Sequence, residues 1–245
     1  MFQPPDPLRP DRPQDLRLGR GHTVSSFDAD LRQVAVETAR VGGMAEELLS
    51  RALTLLSRGD LAEAAELRAL RDRQRRLARE ANDRAASLVA LRQPMGADLR
   101  QLLAALRALA ALARSGDLSA NLAEGAARLR AEGEPVDGAE EMNAALRRFG
   151  LRALAQLSAA ISAHQARDAE AARAVWRRDG ELDAHHEALT RALLDRMAEG
   201  AEPVVAGARR LFMAKDLERI GDQARHVAAA TWWMLRGAEI DAAAD

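Results

Sequence analysis

An all-α protein made of two tandem antiparallel three-helix bundles, related by internal duplication, is the fold class this sequence predicts. Ala, Leu, Arg and Glu dominate its 245 residues and aromatics make up only 3%, a composition suited to helices packed closely through small and aliphatic side chains. Apolar residues recur at spacings of three and four, as they do along one buried helix face. The succession of long helices and breaks then starts again after about 105 to 108 residues, as an internal repeat does.

Five of the eight prolines, Pro4, Pro5, Pro7, Pro10 and Pro13, fall among Asp, Arg and Gln near the start. Residues 1–24 therefore read as a disordered Pro-rich arm, with the fold beginning near Ser25. Phe27, Leu31, Val34, Thr38, Val41, Ala45, Leu48, Ala52 and Leu55 alternate spacings of four and three, which lays one seam along a first helix of about eight turns. Arg58-Gly59-Asp60 supplies a break and an N-cap candidate, and a polar, Arg-rich second helix follows from about Leu61 to Leu91. A third begins after Gln93-Pro94. Its Leu99, Leu102, Leu103, Leu106, Leu109, Leu112 and Ala113 form a buried stripe that continues to about Leu129. These helices make a first bundle over residues 25–131.

Residues 132–138, Glu132-Gly133-Glu134-Pro135-Val136-Asp137-Gly138, combine turn formers with charge and read as the linker between halves. The second bundle, 139–240, is expected to hold helices from Ala139 to Gln165, Asp168 to Glu199 and Pro203 to Arg236. Arg167-Asp168 stands where Gly59-Asp60 stood. The repeat extends to letters: Ala113-Arg114-Ser115-Gly116-Asp117 aligns with Glu218-Arg219-Ile220-Gly221-Asp222. A glycine inside a helix costs about 1 kcal/mol relative to alanine, so its presence in both strings points to a shared packing or site requirement.

The formal net charge is -1, with 36 basic against 37 acidic residues, and no long-range field draws the chain to nucleic acid. The chain has no cysteine, which excludes disulfides, thiolate metal sites and cysteine nucleophiles. The sequence does not open on a basic segment followed by an apolar one, and no run approaches the roughly 18 apolar residues that span a bilayer. The expectation is a cytoplasmic protein that reaches a membrane only through partners. A glycine-rich phosphate loop, a Gly-x-Ser-x-Gly turn and a His-Glu-x-x-His motif are all missing, so the protein is expected not to be an enzyme.

Leu217-Glu218-Arg219-Ile220-Gly221-Asp222, the string Gln93-Pro94-Met95-Gly96-Ala97-Asp98-Leu99-Arg100, and the duplicated three-helix plan together resemble the PhoU family of phosphate-transport regulators. The resemblance covers roughly residues 25 to 239. It implies a cytoplasmic negative regulator of phosphate uptake and phosphate-starvation signalling, bridging the phosphate ABC transporter and a sensor histidine kinase, with a homodimer as the expected assembly. It also implies metal ions held by paired Glu/Asp-x-x-x-Asp motifs.

In the second half both motifs are intact: Asp179 with Asp183, and Glu218 with Asp222. A spacing of four places each pair on one helix face, one turn apart, so four carboxylates converge if the faces meet. Oxygen donors of this kind suit iron, manganese, magnesium or calcium. Nitrogen from His186 or His226 would favour iron, manganese or zinc. The bland alternative is a solvated charge pattern neutralised by Lys215, Arg219 and Arg225. In the first half Ala113 replaces Glu218, and the counterparts of the aspartates fall at Arg71 and Arg75, or at Asp72 and Arg76. Arginine cannot ligate a cation; the expected metal is therefore confined to the second bundle, and the first is expected to hold an anion or an internal Arg–carboxylate pair.

Asp98 and Arg100, in the first turn of the third helix, are candidates for either helix capping or partner contact. Trp232 and Trp233 point about 100° apart on a helix, so one is expected in the core and the other, Trp233, on a dimer or partner surface. Two rival functions remain: a metal-free helical scaffold, supported by the seam of the first helix, and a carboxylate-bridged metal oxidoreductase. The latter ordinarily carries Glu-x-x-His on two helices, and this sequence has none.

Overall fold

The computed structural model describes the backbone of residues 18–58, 61–131 and 138–240, and side chains within it except those of 18–25, 57, 58, 61 and 179. Seven helices follow in order: α1 (Leu18–Arg58), α2 (Leu61–Arg92), α3 (Gly96–Ala131), α4 (Ala139–Ala166), α5 (Ala169–Arg177), α6 (Asp179–Ala198) and α7 (Val204–Arg236). Helix α1 already begins at Leu18, ahead of the expected start near Ser25. Residues 1–17, the Gly59-Asp60 break and most of the linker, 132–137, lie outside the described residues.

The turns follow from local chemistry. Helix α4 ends on Arg167 in the left-handed region (φ 53), and Asp168 accepts the Ala171 N–H at 3.0 Å to cap α5, as a short acidic side chain does at an N-cap. Between α6 and α7, Gly200 takes φ 71 and Pro203 precedes the first turn of α7, positions that favour glycine and proline respectively.

One expectation fails. The helix read as unbroken from Asp168 to Glu199 is interrupted at Arg178, whose N–H reaches back only three residues, to the Val175 carbonyl at 3.2 Å. That is the tighter spacing of a 3₁₀ turn. Gly180 lies just beyond, and a Cβ placed there would meet nothing within 4 Å, so this glycine lowers helix propensity without serving packing. The corresponding α2 runs through without a break.

From Leu31 to Leu55, every position of the expected α1 seam is buried, and Phe27 packs partly buried at its end. The two halves do not keep separate interiors. Leu48, Leu67, Leu112 and Leu122 belong to the same cluster as Leu146, Phe149, Leu193, Leu217 and Ile220. The halves meet through α3 against α7 and α1 against α4. Both pairs are antiparallel: Gly125 faces Met213 while Ala104 packs with Ala230 and Met234, and Gly42 faces Ile161 while Gly150 faces Leu53.

A buried ionic knot fastens the α6–α7 turn to α4. Glu202, 2% exposed, is paired with Arg210, whose Nε donates to Asn143 Oδ1 at 3.0 Å, and Arg196 Nε lies 3.8 Å from the other carboxylate oxygen. Such a group is stable only while paired, since removing one partner strands a charge in a poorly solvated place.

The tryptophans also depart from expectation: both are half-buried and both are covered by arginine. Arg107 stands 4.5 Å from the Trp233 ring centre, and Arg236 and Arg173 stand 5.3 and 5.8 Å from that of Trp232. Guanidinium groups shield the ring faces that the core does not reach.

Close approach at α1–α4 gives opposite outcomes for two glycines. A Cβ at Gly150 would stand 2.1 Å from Leu53 Cδ2, whereas one at Gly43 would meet nothing within 4 Å. Gly150→Ala is expected to destabilise by about 1–3 kcal/mol through overpacking, and Gly43→Ala to stabilise by roughly 0.5–1 kcal/mol through helix propensity. Urea unfolding of both variants measures the difference.

Candidate metal centre

The two halves present matching sites around their mid-helix glycines. A Cβ at Gly116 would lie 1.8 Å from Gln74 Oε1 and 3.1 Å from Leu48 Cδ1; one at Gly221 would lie 2.7 Å from Leu182 Cδ1 and 4.0 Å from Gln156 Oε1. Each glycine thus admits a residue of the preceding helix, as the shared requirement in sequence anticipates. The residues form corresponding pairs, Leu48 with Gln156, Gln74 with Leu182, Arg71 with Asp179 and Arg75 with Asp183, all 108 positions apart. The amide and the leucine have traded helices between the halves.

In the first half the amide is well used. Gln74 is fully buried, and its Nε2 donates to the carbonyls of Val41 and Leu112 at 3.1 Å each, tying α2 to α1 and α3. Beside it, Arg75 donates to Asp117 at 2.7 Å and Arg71 lies 3.6 Å from the same carboxylate. Arg71 also pairs with Asp72 at 2.9 Å. The internal Arg–carboxylate pair expected in place of a metal is present, with two guanidiniums on one aspartate.

In the second half, position 179 opens α6; the Asp179 side chain lies outside the described residues. Asp183 is exposed on α6, next to Leu182, which packs on Gly221 of α7. Glu218 and Asp222 are half-buried on α7, and Lys215 Nζ lies 2.8 Å from Glu218 Oε2. That oxygen is buried and accepts no well-directed hydrogen bond among the described residues. Among the described residues no group of three or more His, Asp or Glu side chains is close enough to hold a metal. The donor chemistry of Asp183, Glu218 and Asp222 suits a hard or borderline cation, but a cluster needs Asp179 as well. His186 stacks on Phe149 with ring centres 6.3 Å apart, and His226 is exposed.

The expected partner-contact residues divide. Asp98 is exposed in the first turn of α3. Arg100 donates from Nε to the Met234 carbonyl at 3.4 Å, where a cation complements the end of α7. Trp233 is held under Arg107.

Sequence reading did not single out Gln74, Gln156, the Glu202 knot or His164. A signal existed for Gln74: it interrupts the apolar stripe of Leu67, Leu70, Ala78, Ala81 and Ala85 on an otherwise polar helix. His164 Nδ1 lies 2.9 Å from Thr231 Oγ1, and that hydroxyl donates to the Val227 carbonyl at 2.8 Å. The ring must therefore be the donor, which fixes its neutral Nδ1–H tautomer. Burial, with the Arg167 charge in support, pushes this imidazole down to about 4. Burial pushes the Asp216 carboxyl up to about 6, against the opposing pull of Arg219 and Arg114.

The PhoU domain model matches this chain twice, over residues 38–126 and 146–231. The phosphate-specific transport system accessory protein PhoU homolog of Caulobacter vibrioides is 34% identical over 219 residues, covering 89% of this chain and 94% of the relative. The homolog of the same name from Rhizobium meliloti is 31% identical over 226 residues, covering 91% and 92%. Among solved structures, PhoU from Pseudomonas aeruginosa superposes with a TM-score of 0.80 at 27% identity, covering 86% of this chain and 100% of that one. The phosphate transport system regulatory protein PhoU from Streptococcus pneumoniae, at 22% identity and a TM-score of 0.78 over 88% of this chain and 99% of that one, shares the fold.

Titration of the two buried groups gives opposite slopes. His164 ordinarily titrates near 6.5 and in the fold near 4, so the unfolded chain takes up the proton first and native stability falls as pH drops through that window. Asp216 runs from an ordinary 3.8 to about 6 in the fold, so its contribution rises as pH drops through nearly the same window. The stability of His164→Gln relative to the parent is expected to improve by up to about 3 kcal/mol between pH 7 and pH 4, measured by thermal melts at matched ionic strength. In the first half, Asp117→Asn is expected to cost about 1 kcal/mol at low salt and less at 1 M salt, read from denaturant midpoints.

Proposed function

This chain belongs to the PhoU family, and from that premise we propose that it is a non-catalytic accessory regulator of phosphate-specific transport whose second half binds a metal ion. The regulatory reading is supported above all by the family match across both repeats, and by relatives named as accessory proteins of the phosphate transport system. No helix among the described residues is long and apolar enough to cross a membrane, which fits a protein that acts on a transporter through contact. As an adaptor it represses phosphate-starvation signalling by bridging the phosphate ABC transporter and a sensor histidine kinase. Loss of the gene is expected to switch on phosphate-starvation reporters in phosphate-rich medium. Unchanged reporters would overturn this reading.

Asp179, Asp183, Glu218 and Asp222 are the residues that would hold the metal, with iron or manganese as the first candidates. A bound cation would supply a fixed positive charge across the α6–α7 contact. The support is the repeat itself: positions 71 and 75, whose arginines meet Asp117, correspond in register to 179 and 183, which carry aspartates, and Asp117 corresponds to Asp222. A metal-free adaptor is the second reading, favoured by the Lys215–Glu218 ion pair.

Elemental mass spectrometry separates the two. Metal is expected in the parent protein and in Asp117→Ala, and not in an Asp179→Ala, Glu218→Ala double variant. Saturating metal at about a hundredfold over Kd would stabilise the parent by about 2.7 kcal/mol, raising Tm by about 5–11 °C. A metal-free parent after growth with iron and manganese would leave the metal-free adaptor.

A further inference from the structure

Between α4 and the start of α6 lies a recess of about 210 Å³ lined by Arg152, Ala155, Gln156, Arg178, Glu181 and Leu182. Gln156 is only 8% exposed, yet its Nε2 has no hydrogen-bond partner among the described residues. A buried amide donor left unsatisfied is destabilising, and its counterpart position in the first half carries Leu48, which has no such need. Gln74 shows what a satisfied amide donor looks like in this fold, with two carbonyls on its Nε2, while its Oε1 accepts from no partner among the described residues. The α5–α6 break places Arg178 at this recess, opposite Arg152 of α4, and neither guanidinium has an ion-pair partner among the described residues. Two exposed guanidiniums and the buried Gln156 and Leu182 border the recess together, so a turn of the Gln156 amide toward it would add a third donor.

We propose that this recess binds hydrogen phosphate, either free or as a phosphate ester. Guanidinium forks match the oxygens of a tetrahedral oxyanion in pairs. The volume accommodates one such ion with a few waters of about 30 Å³ each. Glu181 gives the recess its selectivity. Its carboxylate can only accept, so it welcomes an oxyanion that still carries a proton and repels sulfate, which has none; free phosphate keeps a proton through neutral pH and a monoester only toward about pH 6, the pH at which the two phosphate probes are compared. The larger cleft of about 380 Å³ lined by Arg130, Arg147 and Arg148 includes Asn143, whose Oδ1 is already engaged by Arg210, and no buried unpaired donor among the described residues. It serves as the basic control. None of the recess donors is a carboxylate of the proposed metal centre, so the two readings stand or fall separately.

Thermal melts of the chelator-treated full chain test this, with inorganic phosphate, glycerol 3-phosphate and sulfate at matched ionic strength. At about ten times its Kd, phosphate is expected to raise Tm by about 3–6 °C, with little response to sulfate. A shift with inorganic phosphate alone assigns the free ion, and a shift with both phosphate probes assigns the phosphate group. Gln156→Leu, which installs the residue of the first repeat, is expected to melt no lower than the parent without ligand and to lose the phosphate shift. Arg152→Ala with Arg178→Ala is expected to lose it too, Arg147→Ala with Arg148→Ala to keep it, and Glu181→Gln to let sulfate shift Tm as well. Equal shifts with sulfate in the parent, no shift with phosphate, a full shift in Gln156→Leu, or dependence on unchelated metal would each overturn the proposal.

Discussion

The closest approaches between the long antiparallel helices of this protein come where one of a facing pair gives up its side chain, and that steric concession sets how the bundle closes. Gly116 yields to Gln74, Gly221 to Leu182, Gly150 to Leu53 and Gly125 to Met213. The first two close helices within each half, and the last two close α4 on α1 and α3 on α7, where leucines from both halves fill a common core. Packing densities near those of crystals leave no room for an added methyl at such contacts. The helix-breaking tendency of glycine is tolerated because these helices run through 28 to 41 residues and their stability comes from the buried face rather than from propensity.

Around that shared geometry the two repeats have assigned polar chemistry differently. The first half contains its own countercharges: Arg71 and Arg75 meet Asp117, and Gln74 ties three helices together. The second half leaves more unresolved within itself. Gln156 has a donor to place, Glu218 leans on a neighbouring lysine, and the helix that faces them is broken at Arg178. Buried polar groups are costly when only partly satisfied, and among the described residues the second half carries the larger share of them.

Much of this was legible in the sequence. The α1 seam, the proline and glycine punctuation and the repeat register give α2, α3, α4 and α7 nearly to the residue, and the buried face of α1 though not its start, because period and breakers are local properties. The arginines at 71 and 75 foretell the ion pair with Asp117, because charge type at a repeated position restricts what can face it. The break at Arg178 was missed although Asp179-Gly180 is a turn-forming dipeptide, because a single such pair is tolerated inside a helix and the interruption is a choice of hydrogen-bond spacing within one turn. Neither were the half-buried tryptophans, whose exposure depends on arginines from α3 and α5 that come near only after folding. Asp183, Glu218 and Asp222 were legible as far as their helices and helix faces, and whether those faces bring them together was not, since the distance between two helix faces is set by what lies between them. Here that is Leu182 on Gly221.

The exchange of amide and leucine between helices has a genetic consequence. Either half can be copied whole, because each carries one glutamine and one leucine around its glycine. A crossover inside a half would not be neutral. Setting α2 in the place of α6 would crowd two amides at Gly221, and the reverse swap would leave two leucines at Gly116 with the Val41 and Leu112 carbonyls deprived of the side-chain donor they now share. The repeats, though born identical, are no longer interchangeable helix by helix, and recombination between them is free only at the linker.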